Sequence, residues 1–372
     1  LNLGRNIKNL PEVRCRILVA PLDWGLGHAT RCVPIIQCLI SNGAQVIIAA
    51  EGKCAQLLKE EFPELKIVHL RGYRVRYSSD PKRFNLKLLL QLPRALITFI
   101  REKAFIKKIV RKENIDAIVS DNRPGLFHSD IPAFYITHQL HIETGNKKWG
   151  SYAEKIHQFL ISSFKECWVP DEEGDNNLGG KLSHPKIFPV VPVSYIGCIS
   201  RFQKKETVQQ YDLLIMLSGP EPLRTMLENK LLHQAAHTSL SIAFVRGLPG
   251  ITKKIKVGAN ISIFNHLPSN ELNELIESSG IVLARCGYST IMDLALLQKK
   301  AILIPTPGQK EQEYLATYLK EKKYFYTVEQ KNMDISKDIS ELNKTTYLLP
   351  KLKGLNEEKI IERLKHYGLI SK

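Results

Sequence analysis

Short apolar runs alternate with stretches of helical spacing along nearly the whole chain. In the first half the runs fall at roughly 15–21, 45–50, 66–70, 116–120, 132–136 and 166–170, and helical spacing at 29–42, 53–61, 86–112 and 150–163. The strand-like runs are almost continuously apolar, as expected of parallel strands buried on both faces. From about 171 to 205 the pattern loosens into polar residues, Gly179-Gly180 and Pro185, Pro189 and Pro192. It then restarts, with strands expected at 212–217, 240–245, 260–264, 280–284 and 301–304. Helices are expected at 224–235, 269–277, 288–297, 310–322 and 356–366. The rhythm predicts an α/β chain: a flexible extension over 1–12, one Rossmann-like doubly wound domain over 13–200 and a second over 201–372. A C-terminal helix is positioned to return to the first domain.

Two strand–turn–helix junctions stand out. The first strand runs into Asp23-Trp24-Gly25-Leu26-Gly27-His28-Ala29-Thr30-Arg31, and a later one into Arg285-Cys286-Gly287-Tyr288-Ser289-Thr290-Ile291-Met292-Asp293. Both aim backbone N–H groups and a helix N-terminus at an anion. The arrangement predicts two domains facing a central cleft, each supplying part of one site. Gly25-x-Gly27 with Glu51 after the next strand also invites a dinucleotide reading. Thr30, where a third glycine or an alanine is expected, counts against it.

Composition narrows the partners. The seven cysteines are scattered with no Cys-x-x-Cys pair, which suits reduced, buried thiols in a cytoplasmic protein. No apolar stretch reaches the length of a spanning helix. The net charge of +16 is unevenly placed: residues 66–112 carry 14 Lys and Arg against Asp80 and Glu102. Long apolar side chains such as Leu92, Leu96, Ile97 and Ile100 are interleaved there. Such a segment suits peripheral contact with an anionic membrane surface; the plain alternative is a core-facing helix with a solvated basic face. Nucleic acid is a third reading, but no nucleic-acid-binding motif accompanies the charge.

Taken together, these motifs resemble those of GT-B glycosyltransferases. The likeness is to glycosyltransferase family 28, which includes the N-acetylglucosaminyltransferase that makes the lipid-linked peptidoglycan precursor. Three places carry it: the Gly25-Leu26-Gly27-His28 loop; the segment from Arg285 to Asp293; and Ile304-Pro305-Thr306-Pro307 with the helix that follows, including Gln312-Glu313. The resemblance implies a GT-B fold and transfer of a sugar from a nucleotide diphosphate donor, a UDP-sugar first, to an acceptor hydroxyl with inversion. In such enzymes the second domain holds the donor. Gly287 then admits the phosphates, with Arg285, Ser289 and Thr290 around them, and Asp293, where the family usually has Glu, takes the ribose hydroxyls. Ser218 and Gly219 cap the diphosphate from the facing side, and Gln312 and Glu313 meet the sugar, Glu313 standing where the family has a second Gln.

His28 is the candidate base, because an imidazole titrates near neutral pH; capping the helix or binding phosphate is its plainer role. Asp121 is the alternative base or an acceptor-binding acid, and Asp23 a third. Gly25, Gly27, His138 and His141 are expected on the acceptor or phosphate side. No Asp-x-Asp clamp is present and no carboxylate cluster joins His138 and His141, so neither metal nor cofactor is expected. Helix N-termini and basic groups would carry the leaving diphosphate. A lipid-linked acceptor would place residues 66–112 on the inner face of the membrane. Two other readings stay open: a nucleotide-sugar 2-epimerase of the same architecture, whose set of cleft acids does not stand out here, and a catalytically degenerate nucleotide-sugar binder.

Overall fold

The computed structural model describes residues 15–75, 90–144, 147–249, 255–257 and 260–370. The expected extension 1–12 and residues 76–89 of the basic segment lie outside the described residues. The first domain is built on a seven-stranded, wholly parallel sheet. Its strands are β1 (Cys15–Pro21), β2 (Ala44–Ala50), β3 (Lys66–His69), β4 (Ala117–Asp121), β5 (Ala133–Ile136), β6 (Glu166–Val169) and β7 (Val193–Tyr195), in the order β3-β2-β1-β4-β5-β6-β7. Helices α1 (Gly27–Ser41), α2 (Gly52–Glu61), α3 (Leu92–Glu113) and α4 (Lys147–Ile161) connect them. Ile17, Leu18, Val19 and Ala20 are all fully buried, which is why the first strand reads as an unbroken apolar run.

The second sheet also has seven strands: β8 (Tyr211–Met216), β9 (Ile242–Val245), β10 (Ile255–Val257), β11 (Ile261–Phe264), β12 (Ser279–Arg285), β13 (Ala301–Ile304) and β14 (Tyr326–Thr327). Their order is β10-β11-β9-β8-β12-β13-β14, and only the β10–β11 pair is antiparallel. Helices α5 (Leu223–Ala235), α6 (Ser269–Glu277), α7 (Tyr288–Leu296), α8 (Lys310–Glu321), α9 (Ile335–Lys344) and α10 (Glu357–His366) complete this half of the chain.

In each sheet the chain winds outward in one direction and then returns to wind the other way. The reversal falls between β1 and β4 in the first sheet and between β8 and β12 in the second. Crevices at such switch points, beyond the carboxyl ends of the strands, are where open α/β sheets bind ligands. One apolar cluster joins the two halves through α1 and α7, with Val33 and Ile36 in the same core as Ile291 and Leu294. The last helix lies against the first sheet. Arg363 grips the fully buried Glu166 of β6 with Nε and Nη2, at 2.8 Å from Oε2 in each case, and the Tyr367 ring meets Phe134 edge-on at 5.3 Å. All seven cysteines are buried free thiols. Among the described residues no helix is long and apolar enough to cross a membrane.

Candidate functional site

The carboxyl ends of β1 and β4 are in register, Pro21 beside Asp121. Gly25, at φ +79°, turns the chain after β1 so that α1 begins at Gly27. That places His28 over the switch point. Its Nδ1 lies 3.1 Å from Oδ2 of the fully buried Asp121. Arg31, one turn along α1 and also buried, donates from Nε to the same oxygen at 2.9 Å and from Nη2 to Oδ1. Burial works to raise the Asp121 pKa, but the Arg31 guanidinium and His28 overcome it and hold the carboxyl at about 2. His28 itself is lowered, chiefly by burial and further by Arg31, with Asp121 pulling the other way.

The group continues across the cleft. Arg31 Nη1 lies 3.2 Å from His138 Nδ1, and His138 Nε2 lies 2.7 Å from Oε1 of Glu311 on α8. The His138 ring stacks on Tyr288 at 4.1 Å, nearly parallel. Ser289 donates its hydroxyl to the Gly27 carbonyl at 3.0 Å, so the N-terminal turns of α1 and α7 touch. Arg31 and Glu311 are members of this site that the sequence did not disclose. Burial raises Glu311, but His138, then His28 and Arg31, bring it below the usual carboxylate range.

On the second domain, β12 ends at the buried Arg285. Among the described residues its guanidinium bonds only uncharged groups, Leu223 O at 3.0 Å, Pro305 O at 3.3 Å and Gln330 Oε1 at 2.8 Å, and burial lowers it to about 10. Arg285 Nε and Thr306 Oγ1 are both buried without a hydrogen-bond partner among the described residues. Both lie under the exposed Ser218-Gly219 turn after β8. A Cβ at Gly219, which has φ +100°, would sit 3.8 Å from Thr306 Oγ1 and 4.0 Å from Arg285 Nε. A cation and a hydroxyl left open beneath a glycine turn fit an anion's oxygens. Gly287 caps α7, and a Cβ there would meet only Gln312 Nε2, at 4.0 Å. Thr290 follows Ser289 in the first turn of α7 and is partly exposed.

Other expected residues are engaged within the protein. Asp293 accepts from Ser200 Oγ at 2.5 Å, at the point where the chain passes between domains, and burial pushes its carboxyl up to about 7. Gln312 Oε1 accepts from Thr306 N at 2.8 Å; Glu313 accepts from Gly308 N at 2.9 Å and pairs with Lys310. Both thus brace the loop that precedes α8. His141 turns to Glu154 of α4, 3.0 Å away, and does not join the His28 group. Asp23 holds the backbone N–H groups of Tyr73 and Arg74, each at 2.8 Å. Glu51 is occupied by both arms of Arg74, at 2.7 and 2.6 Å, so the ribose partner of a dinucleotide site is already committed.

Residues 251–364 match the family model described as glycosyltransferase family 28 C-terminal domain. An uncharacterized glycosyltransferase of Methanosarcina acetivorans is 24% identical over 83% of this chain and 84% of its own. The spinosyn rhamnosyltransferase SpnG complexed with thymidine diphosphate superposes with a TM-score of 0.59 at 14% identity, over 95% of this chain and 96% of that one. A putative UDP-N-acetylglucosamine 2-epimerase from Listeria monocytogenes superposes at 0.62 with 11% identity, over 97% and 98%. The chain is a glycosyltransferase of GT-B architecture resembling family 28.

Proposed function

We propose that the chain transfers a sugar from a nucleoside diphosphate donor, a UDP-sugar foremost, to an acceptor hydroxyl with inversion and without a metal ion. The observation that carries this reading is the His28–Asp121 pair at one switch point, facing the unpaired Arg285 Nε and Thr306 Oγ1 at the other. In the step, the acceptor oxygen attacks the anomeric carbon from the side opposite the diphosphate. The carbon–oxygen bond to phosphate breaks, and the diphosphate leaves with the electron pair. The acceptor proton passes to His28 Nε2, the ring nitrogen not held by Asp121 and Arg31. Arg285, Thr306 and the α7 N-terminus would bear the charge of the leaving group. Both structural neighbours are named for, or complexed with, nucleoside diphosphates, which supports that class of donor.

The acceptor side carries a surface that suits a lipid-linked substrate. On α3, Leu92, Leu96, Ile97 and Ile100 are exposed beside Arg94, Arg101, Lys107 and Lys108; on α4, Tyr152, Ile156 and Phe159 are exposed beside Lys155. Apolar side chains set among cations suit an anionic lipid surface. Flotation with anionic vesicles, lost at high salt and reduced by Leu96→Glu with Phe159→Glu, is the expected result; equal behaviour with neutral vesicles would remove this part.

The transfer reading is tested by UDP release from a panel of UDP-sugars, with His28→Ala and Asp293→Ala beside the unaltered protein. Release from one donor, slowed in turnover by His28→Ala and weakened in binding by Asp293→Ala, is expected. A new sugar formed without UDP release would instead indicate epimerisation. Neither release nor a thermal shift with UDP would end the donor assignment.

A further inference from the structure

Arg31 lies at the centre of the cleft group, and its chemistry constrains each neighbour. A guanidinium only donates. Facing Arg31 Nη1, His138 Nδ1 must therefore accept, which leaves the His138 proton on Nε2 to be given to Glu311 at 2.7 Å. At His28 the demands conflict. Arg31 Nη2, 2.8 Å from Nδ1, requires that nitrogen bare; Asp121 Oδ2, 3.1 Å away, requires it protonated. The carboxylate oxygen that His28 needs is the one that Arg31 Nε already holds at 2.9 Å.

We propose that Arg31 is a positioning residue: it grips both oxygens of Asp121 and keeps the His28 ring uncharged until an acceptor hydroxyl arrives. The inference rests on His28 being the base of the proposed transfer. A buried carboxylate alone at this distance from an imidazole favours the imidazolium, which cannot take a proton. Arg31 offsets the carboxylate's charge, so the ring stays neutral; with Arg31 Nη2 given to Asp121 Oδ1, the ring's one proton sits on Nδ1 facing Asp121, and Nε2 is bare to take the acceptor's proton. The charged or titratable groups facing His28 are Asp121 at the end of β4, Arg31 on α1, His138 after β5 and, beyond it, Glu311 on α8. Among them Arg31 is the one permanent cation, and burial lowers His28 in the same direction.

The test is the pH profile of kcat/KM for UDP-sugar turnover, together with the His28 titration followed by nitrogen-15 NMR and assigned with His28→Gln. In the unaltered protein His28 should titrate below its usual 6.5. Arg31→Met should move both the titration and the acid limb up by about one pH unit or more, as expected when a carboxylate near an imidazole is left unopposed. Activity on the limb should then fall by about tenfold and largely recover above it. Arg31→Lys, which keeps the charge but not the two-point grip, should fall between. An equal loss of activity at every pH in a folded Arg31→Met protein would overturn the proposal. Should that variant not fold, Arg31→Lys decides: a His28 titration that stays where it is in the unaltered protein overturns the proposal, and one moved upward supports it. Full turnover by His28→Ala would sink the base assignment itself, a separate result from the NMR reading of what Arg31 does to the ring.

Discussion

Asp293 offers a prediction in which a binding role and folding stability pull apart. Its carboxyl is raised from 3.8 to about 7, mainly by burial, against the bond from Ser200 and the charge of Arg201. The sign follows from proton counting. Between the two values the folded chain keeps a proton that the unfolded chain has released, so stability falls as pH rises through that window. From pH 5 to pH 8 about two pH units of it are crossed, which at 1.36 kcal/mol each gives an upper bound of about 3 kcal/mol. The residue as a whole is only half-buried, and relaxation around the carboxylate cuts this to about 1–2 kcal/mol. Asp293→Asn keeps an oxygen to accept from Ser200 and has nothing to ionise. Urea unfolding of both proteins at pH 5, 6, 7 and 8 should show the Asn variant's advantage growing by that amount, because every other titrating group cancels in the difference. An advantage that stays flat across the range, or shrinks, would refute the reasoning. The same variant should bind UDP more weakly if Asp293 exchanges Ser200 for ribose hydroxyls, the mark of an acid retained at a cost to the fold.

Arg363→Ala should destabilise by about 2–4 kcal/mol in chemical unfolding, because it strands the fully buried Glu166 carboxylate; Glu166→Gln in the same background should recover much of the loss, and a loss under 1 kcal/mol would mean the last helix is held by its apolar contacts alone. Gly27→Ala should fail to deliver the roughly 1 kcal/mol that alanine normally adds to a helix, since its Cβ would sit 3.0 Å from Ser289 Oγ. With Ser289→Ala present the same change should become stabilising in a thermal melt, and additivity of the two changes would refute contact between the domains at that point.

The sheets were legible because their central strands are buried on both faces and so read as apolar runs, as Ile17 to Ala20 do. The elements that escaped are short and peripheral. Strands β7, β10 and β14 have three, three and two residues and lie at or near sheet edges, where pairing rather than an apolar run defines them. Helix α9 did carry a signal, with Met333, Ile335 and Leu342 buried and Asp334 capping its first turn through the Lys337 N–H. The helix expected from 86 begins at Leu92 among the described residues, with Pro93 in its first turn. At the candidate site, the strand-to-helix turns pointed to Gly25, Gly27, His28 and Gly287, and the end of an apolar strand pointed to Asp121, by local pattern. Arg31 and Glu311 had no such signal: their partners Asp121 and His138 lie 90 and 173 residues away in sequence. An arginine inside an amphipathic helix, or a glutamate opening one, reads as a solvated charge until the fold supplies the other side.

The placement of those two residues bears on why such a site needs two domains. Among the described residues of the first domain, Arg31 carries a full positive charge into a buried crevice and meets only Asp121 as a counter-charge. Glu311 supplies a second carboxylate through His138, and it arrives on α8 of the other domain. The α1 and α7 N-termini, both favourable to anions, are brought together by the Ser289–Gly27 bond. The crevice that would receive a diphosphate and the group that would receive a proton are therefore complete only while the domains are in contact. A ligand that bridges Arg285 and the α7 N-terminus on one side and His28 on the other binds this joined state more tightly than a separated one. By linkage it must then favour closure to the same extent.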